Sequence, residues 1–301
     1  MRLVIAIGGN ALLKRGEPLS AENQAHNMAT SAVGLAQICA GHEAAIVHGN
    51  GPQVGLLALE AASSKGVVPY PFDVLGAESQ GMIGYVIAQA MRNALPGREV
   101  AALLTQTRVD ASDPAFQHPT KPIGPTYTMP ELEKLKQHSA WHFAADGAQF
   151  RRVVASPAPL SIVELLAIVR LVSDGVLTIC CGGGGIPVVD DGSDGRLLGV
   201  EAVIDKDLAS ALLAVQINAD RFIILTDVEG VYTDWTLPKQ ALIQSASVAE
   251  LRDISFAEGS MKPKVEAVCR FVSETGMPAS IGNLQSAAAV ASGTAGTAVS
   301  P

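Results

Sequence analysis

The chain has 301 residues, of which 48% are hydrophobic and 17% charged, and its formal net charge is -8. A chain of this length and apolar content can bury one large core or two moderate ones without disulfides or a structural metal. The acidic balance argues against general nucleic-acid binding, which needs a basic surface to neutralise phosphates. An anionic small molecule would have to be met by lysines that are concentrated in one place.

The composition also bears on where the protein works. Glu164 and Arg170 interrupt the most apolar segment, so no run approaches the roughly 20 residues needed to cross a bilayer, and no signal peptide or membrane anchor is recognisable. The four cysteines have no metal-ligand spacing. Two of them, Cys180 and Cys181, are adjacent and cannot easily bridge each other. We therefore expect a reduced, cytoplasmic protein with no membrane partner.

Short apolar runs alternate with longer segments of helical periodicity. The runs predict buried strands at residues 3–7, 44–47, 100–105, 176–181 and 222–226. The periodic segments predict helices at residues 25–40, 77–94, 162–173, 204–217 and 264–274. Such alternation is typical of a mainly parallel sheet covered by helices on both faces. The predicted fold class is α/β.

Residues 113–159 break this alternation because they are rich in proline, histidine and mixed charge. A loop of this length is unusual inside a compact domain. We therefore favour a small subdomain that projects from the sheet as a lid over a long surface loop. The tail from residue 286 onward is interpreted either as a closing strand or as a frayed end.

The first strand leads directly into Gly8-Gly9-Asn10. Glycines at this point let backbone N–H groups approach an anion, and a following helix adds favourable partial charge at its N-terminus. The turn lacks the spacing of a dinucleotide fingerprint and the Gly-Lys-Ser/Thr of a Walker A loop. Taken alone, it is equally well explained as a tight strand-to-helix connection.

Two more predicted strands end in glycines, at Gly49-Asn50-Gly51 and at Gly182-Gly183-Gly184. Ligands of open α/β sheets gather outside the carboxyl ends of the strands. Three glycine turns at one edge therefore predict a floor of backbone amides for a polyanion, with Asn10 and Asn50 as additional donors. His48 is as readily a packed strand-end residue as a ligand contact.

Three lysines are candidates to neutralise that anion. Lys206 stands between Asp205 and Asp207 at a predicted helix start. The two carboxylates can be explained as helix caps or dipole partners, but a lysine at this position has no such structural explanation. Lys264 falls in the first turn of another predicted helix, an unfavourable place for a cation unless an anion is also present. Lys121 lies in the inserted segment, either as a solvated loop lysine or as one that a lid brings over the substrate.

The motifs IGGNAL, HGNGPQVG, PTKPIGP, CGGGGIPVV, GVEAVIDKD, ILTDVEGVY and GSMKPKVEA occur in this order across nearly the whole chain. In this combination they closely resemble the carbamate kinases of the amino-acid-kinase family. The resemblance implies a three-layer α/β/α fold with an open, mainly parallel eight-stranded sheet, and a homodimer. It also implies a carbamate and carbamoyl-phosphate region at residues 1–212, with the protruding subdomain at 113–159, and a nucleotide region at 213–301.

The reaction that the resemblance implies is reversible phosphoryl transfer between carbamoyl phosphate and ADP, giving ATP and carbamate, with Mg²⁺ carried mainly by the nucleotide. The implied catalytic residues are Lys121, Lys206, Lys264, Asp205 and Asp207. Substrate binding falls to Gly8, Gly9, Asn10, Gly49, Asn50 and Gly51, to which the third glycine turn adds Gly182, Gly183 and Gly184. Nucleotide binding falls to Thr226, Asp227, Val228, Tyr232 and Met261.

Carbamate is already an oxyanion and needs no base before it attacks, so catalysis reduces to positioning two anions and neutralising charge. The resemblance loosens at residues 146–152 and 254–260, and residues 226–232 look more like the general family motif than the carbamate kinase version. Two alternatives therefore stay open at this point. One is a related kinase acting on another small acid, and the other is a non-catalytic sensor of carbamoyl phosphate and nucleotide.

Overall fold

The computed structural model describes residues 1–14, 16–63, 68–138, 141–192, 195–233, 240–256 and 261–301. The helices in these ranges are α1 (Ala21–Cys39), α2 (Gly51–Ser63), α3 (Phe72–Ala94), α4 (Met129–His138), α5 (Leu165–Ser173), α6 (Lys206–Gln216), α7 (Val248–Arg252), α8 (Met261–Thr275) and α9 (Ala287–Ser292). The strands are β1 (Arg2–Ile7), β2 (Glu43–His48), β3 (Val100–Ala102), β4 (Gln106–Arg108), β5 (Lys121–Tyr127), β6 (His142–Asp146), β7 (Gln149–Val154), β8 (Ser161–Ile162), β9 (Leu177–Ile179), β10 (Ile186–Asp190), β11 (Leu197–Gly199), β12 (Arg221–Thr226), β13 (Val231–Thr233), β14 (Ala241–Ile243), β15 (Ser245–Ser247), β16 (Ala279–Asn283) and β17 (Thr297–Ser300).

The main sheet has eight strands in the order β15-β17-β16-β12-β1-β2-β9-β3. Neighbouring strands are parallel except for β16 and β17. The predicted α/β class and the eight-stranded, mainly parallel sheet are confirmed. Since β1, β2, β9 and β12 all run the same way, the turns that follow them open at one edge of the sheet.

Each face of the sheet carries its own core, because successive side chains of a strand point to opposite faces. On β1, Val4 and Ala6 pack into a cluster that includes residues of α5, α6 and α8. Leu3, Ile5 and Ile7 pack into a second cluster with residues of α1, α3 and α9. Strands that are buried on both faces read as continuous apolar runs, which is why the sequence revealed them.

Some predicted boundaries were wrong. The strand predicted at 100–105 ends at Ala102, and Thr105 bonds instead to the side chain of Gln80 and to the Ile186 N–H. The strand predicted at 176–181 ends at Ile179, and Cys181 adopts a left-handed conformation with φ 51. Helices α3 and α6 begin at Phe72 and Lys206, whereas periodicity predicted 77 and 204. Helix α2, strand β16 and the second sheet, ordered β11-β10-β4-β8, were not predicted.

The inserted segment contains a three-stranded antiparallel sheet, ordered β5-β7-β6, and helix α4. It contacts the main body at α2, where Gly124 lies so close to Gly55 that a Cβ on Gly55 would be 2.3 Å from the Gly124 Cα. At the other end of the chain, the tail supplies β17, which pairs with β15 and β16. No helix within the described ranges has the length and apolar character needed to span a membrane.

Candidate active site

The turns after β12, β1 and β2 are tied together by backbone hydrogen bonds. The Gly8 N–H donates to the Leu225 carbonyl at 2.9 Å, and the Gly49 N–H donates to the Ile7 carbonyl at 3.1 Å. A Cβ on Gly49 would lie 3.4 Å from both the Gly9 nitrogen and the Lys206 Cε. The first two glycine turns and Lys206 therefore meet at the carboxyl edge of the sheet.

The third turn, Gly182–Gly184, is buried and packs against the second. A Cβ on Gly182 would lie 2.3 Å from His48 Nε2, and one on Gly183 would lie 2.1 Å from Asn50 Nδ2. Gly183 also has φ +64, a region that favours glycine. Glycine is needed here so that the turn can support His48 and Asn50 from behind. The predicted contact of this turn with substrate stays a prediction.

The remaining predicted substrate residues lie at the same edge but differ in exposure. Asn10 lies in a short 3-10 turn, Gly9–Ala11, and is partly exposed. Asn50 is 6% exposed and its Nδ2 donates to Ser79 Oγ at 2.9 Å. Gly51 is exposed and begins α2. Burial and this hydrogen bond thus hold Asn50 in place, whereas the partial exposure of Asn10 leaves it accessible to a ligand.

Three lysines from three separate elements are held by two aspartates at the start of α6, its N-cap Asp205 and Asp207. Asp205 caps the helix by accepting the Asp207 and Leu208 N–H groups, and its other oxygen accepts from Lys121 Nζ at 2.5 Å. The two oxygens of Asp207 are divided between Lys206 Nζ at 2.5 Å and Lys264 Nζ at 3.2 Å. The structure thus brings together all five predicted catalytic residues.

Burial and charge act in opposite directions on this cluster. Burial alone would raise the pKa of Asp207, but Lys206 and Lys264 outweigh it and hold that pKa below its ordinary value. Burial lowers the pKa of Lys206, against the attraction of Asp207 and with the added repulsion of Lys264. Three lysines face two carboxylates, so the cluster is electropositive and complementary to a phosphate.

His48 ends β2 behind the glycine turns. Its Nδ1 lies 3.1 Å from the Gly49 carbonyl oxygen and it is 1% exposed. Burial lowers its pKa to about 4, although the bond to Gly49 opposes this, and Lys206 lowers it further. The imidazole is therefore neutral near pH 7 and suits a packing role in the turn.

Of the predicted nucleotide residues, Thr226 ends β12, Asp227, Val228 and Tyr232 follow it, and Met261 begins α8. Thr226 is 7% exposed, and its hydroxyl donates to Asp227 Oδ1 at 3.3 Å. Tyr232 donates its hydroxyl to Glu229 Oε2 at 2.8 Å. Val228 is half-buried and Met261, the first residue of α8, packs against the core. Gly259 and Ser260, which belong to the same predicted motif, lie outside the described residues.

Two polar residues at this edge were missed from the sequence. Asn283 ends β16 and donates Nδ2 to the Asp227 carbonyl at 3.3 Å. Asn283 follows an apolar run, and this pattern would have marked it as a candidate if strand β16 had been predicted. Gln80 is 3% exposed and bonds to the Thr105 N–H, the Thr105 carbonyl and the Gly182 carbonyl. It lies within a helical pattern, where a glutamine reads as a surface residue, so nothing in the sequence marked it.

A parallel sheet with glycine turns and carboxylate-held lysines at its carboxyl edge defines an α/β protein that handles phosphate groups. The amino acid kinase family model matches residues 1–283, and the chain belongs to this family.

Several similar proteins carry the name of one branch of this family. The carbamate kinase of Haemophilus influenzae is 51% identical over 300 residues, which cover 99% of this chain and 96% of that protein. The carbamate kinase of Pyrococcus horikoshii is 45% identical over 100% of this chain and 99% of its own. Among solved structures, carbamate kinase from Giardia lamblia bound to AMP-PNP has a TM-score of 0.90 at 38% identity, over 99% of this chain and 98% of that one. The resemblance drawn from the motifs is confirmed.

Proposed function

We infer that this chain has carbamate kinase activity and reversibly transfers a phosphoryl group between carbamoyl phosphate and ADP, giving ATP and carbamate. The observation that carries this inference is the cluster in which Asp205 and Asp207 hold three lysines beside two glycine turns. Relatives named carbamate kinase at 45–51% identity over nearly the full chain support it.

Each lysine has a distinct place in the proposed mechanism. Lys206 lies alongside Gly49 and near Gly9, so it is proposed to contact the phosphoryl group during its transfer. Lys264 approaches from α8, which begins at the predicted nucleotide residue Met261, and is proposed to contact the nucleotide phosphates. Lys121 comes from the subdomain and suits the carbamoyl phosphate. Preorganised cations in a buried site stabilise charge that develops in the transition state, and they need no reorganisation when it forms.

The nucleotide is proposed to bind over residues 213–301, with Thr226, Asp227, Val228, Tyr232 and Met261 as contacts, and carbamoyl phosphate over residues 1–212. The substrate contacts proposed are Gly8, Gly9, Asn10, Gly49, Asn50 and Gly51, with Gly182, Gly183 and Gly184. The bound AMP-PNP of the Giardia lamblia relative supports a nucleotide substrate. Transfer then takes place across the carboxyl edge of the sheet, where the two regions meet at Lys206.

We propose that Mg²⁺ enters with the nucleotide. Both oxygens of Asp205 and of Asp207 already accept from lysines or from backbone N–H groups. Among the described residues, no group of three or more His, Cys, Asp or Glu side chains could hold a metal ion. Mg²⁺ keeps several waters and takes few protein ligands where it is bound through nucleotide phosphates. When bound, it neutralises phosphate charge.

We further propose a homodimer formed at the β3 edge of the main sheet. Exposed apolar side chains lie on α3, beside β4 and β8, and on α5, and large patches of this kind mark interaction surfaces. They are Tyr85 (64% exposed), Leu104 (55%), Leu160 (56%), Val163 (38%) and Leu166 (72%). A Leu166→Glu variant should sediment as a smaller species than wild type, and an unchanged sedimentation coefficient would argue against this edge. The four free cysteines suit the reduced cytoplasm that we propose as its location.

The test is ATP formation from ADP and carbamoyl phosphate, with acetyl phosphate as the competing donor. Wild type should use carbamoyl phosphate, and Lys206→Ala should lower kcat by about 100- to 1000-fold, the range found for removing one charge-stabilising group. Lys134→Ala, on the exposed face of α4, is the matched control and should retain full activity. Preference for acetyl phosphate would overturn the proposed substrate, and wild-type turnover in Lys206→Ala would overturn the role of that lysine.

A further inference from the structure

Besides its contact with α2, the protruding subdomain meets the main body along residues 201–205, where alternate residues take part. The Glu201 carboxylate lies 3.7 Å from the Arg152 guanidinium. The Val203 N–H donates to the Ala155 carbonyl at 2.9 Å. Asp205 accepts from Lys121. The contact between Lys121 and Asp205 thus lies at one end of this line of contacts, and the contact between Arg152 and Glu201 lies at the other.

Arg152 has an unusual environment for an arginine outside the catalytic cluster. Its guanidinium lies between two aromatic rings, 3.9 Å from the centroid of Trp141 and 4.7 Å from that of Phe72. Its side chain is 12% exposed. Burial lowers the pKa of Arg152 to about 10, against the attraction of Glu201, so the group remains charged near pH 7. A cation held between two ring faces and shielded from water makes a strong contact.

The partners of Arg152 divide between the two bodies. Trp141 belongs to the subdomain, next to β6, whereas Phe72 is the first residue of α3 and is 1% exposed. Glu201 is fixed in turn, because its other oxygen accepts the Phe72 N–H at 2.8 Å. An arginine that served only the subdomain fold would have no need of Phe72 or Glu201. Arg152 therefore fastens the subdomain to the start of α3.

The antiparallel pairing of β5 with β7 connects Arg152 to Lys121. Arg152 pairs with Ile123 and Val154 pairs with Lys121 in the same antiparallel register. Ile123 and Val154 are buried in one cluster with Phe72 and Val203. Because β5 and β7 are hydrogen-bonded neighbours, the position of Arg152 against the main body constrains the position of Lys121.

We propose that Arg152 is a positioning residue, which clamps the subdomain between Phe72 and Glu201 so that Lys121 is held at Asp205. This rests on the role of Lys121 proposed above. Arg152 itself touches no reacting atom. Its effect on turnover must therefore pass through Lys121, which separates it from a residue that merely stabilises the fold.

The test is a double-mutant cycle on kcat/KM for carbamoyl phosphate, with wild type, Arg152→Met, Lys121→Ala and the double variant. Arg152→Met should lower kcat/KM by about tenfold or more, since losing a desolvated cation–π contact opens the clamp. In the Lys121→Ala background the same substitution should change kcat/KM by less than about twofold, because residues that act as a unit are not additive.

Arg151→Met is the matched control. Arg151 neighbours Arg152 on β7 but pairs with Asp146, inside the subdomain, at 2.7 Å, so its loss should leave kcat/KM nearly unchanged. Should Arg152→Met prove unstable on thermal melting, Glu201→Gln weakens the clamp while keeping the oxygen that accepts the Phe72 N–H, and Arg152→Lys keeps the charge without the planar stack.

Equal losses from Arg152→Met with and without Lys121 would overturn the proposal. So would a loss in Arg151→Met as large as in Arg152→Met. A Lys121→Ala enzyme as active as wild type would overturn the role of Lys121 together with the clamp that depends on it. A wild-type protein that makes no ATP would instead overturn the proposed function, and the two failures are thereby distinguished.

Discussion

Replacing Asp207 with asparagine should destabilise the unliganded protein strongly. Its carboxylate is 4% exposed and accepts from two lysines, so Asp207→Asn leaves Lys206 and Lys264 buried without their shared counter-ion. Removing one partner of a buried ion pair costs about 3–5 kcal/mol. The loss has a ceiling, because Lys206 can shed its proton instead. At pH 7 this costs about 5 kcal/mol for a lysine of ordinary pKa 10.5.

The variant should also change how stability depends on pH. Burial already lowers the pKa of Lys206 below its ordinary value, and Asp207 is the first group to oppose this. Without Asp207 the pKa falls further, so between neutral pH and about pH 10 the folded state binds fewer protons than the unfolded chain. Stability therefore rises with pH across this window, and it should rise more steeply in Asp207→Asn than in wild type.

The assay is urea denaturation followed by circular dichroism at pH 7 and pH 9.5, without ligand and then with saturating phosphate. Phosphate should recover part of the loss, since it supplies the missing negative charge. Glu274→Gln is the control, because it breaks an exposed i,i+4 pair with Arg270 on α8 and should cost less than about 0.5 kcal/mol. A loss within about 0.5 kcal/mol of this control at pH 7 would refute the view that Asp207 compensates two buried charges.

Three further outcomes follow from the packing behind the site. Gly183→Ala should lower the unfolding free energy by several kcal/mol and remove most of the activity, since its Cβ would meet Asn50 at 2.1 Å. The control is Gly147→Ala, at a glycine with φ +61 and open space around it, which should lose only the backbone strain of about 1–2 kcal/mol. Thermal melting of the two variants compares the losses. His48 has a folded pKa of about 4 against an ordinary 6.5, so stability should fall by up to about 3 kcal/mol as pH drops from 6.5 to 4, and His48→Gln should remove this dependence from pH-resolved denaturation. Gln80→Leu leaves the buried Thr105 N–H without its partner, whereas the Thr105 and Gly182 carbonyls still accept from the Ile186 and Gly185 N–H groups. It should lower the unfolding free energy by about 1–3 kcal/mol, measured in urea.

The site residues predicted from the sequence lie close together in the structure, but the sequence did not explain why each residue is there. Lys206 was recognised because a lysine between two aspartates at a helix start has no ordinary explanation, whereas Asp205 and Asp207 by themselves would have suited capping. Gly182, Gly183 and Gly184 were assigned to the substrate because glycine runs favour anion binding, yet the structure shows a second reason for them, the close approach of His48 and Asn50. A glycine required for packing and one required for ligand approach look alike in a sequence. Gln80 could not be found for a related reason, because its three backbone partners are remote in the chain.

The sequence by itself determined the α/β class and the strands that are buried on both faces, and it marked the three lysines as candidate phosphate contacts. It could do so because hydrophobic periodicity and helix-end chemistry are local properties. Only the tertiary structure decided that Asp207 divides its two oxygens between Lys206 and Lys264, and that Arg152 lies between Phe72 and Trp141. These contacts join residues up to 80 positions apart. Their geometry is set by sheet order and by packing, which no local pattern records.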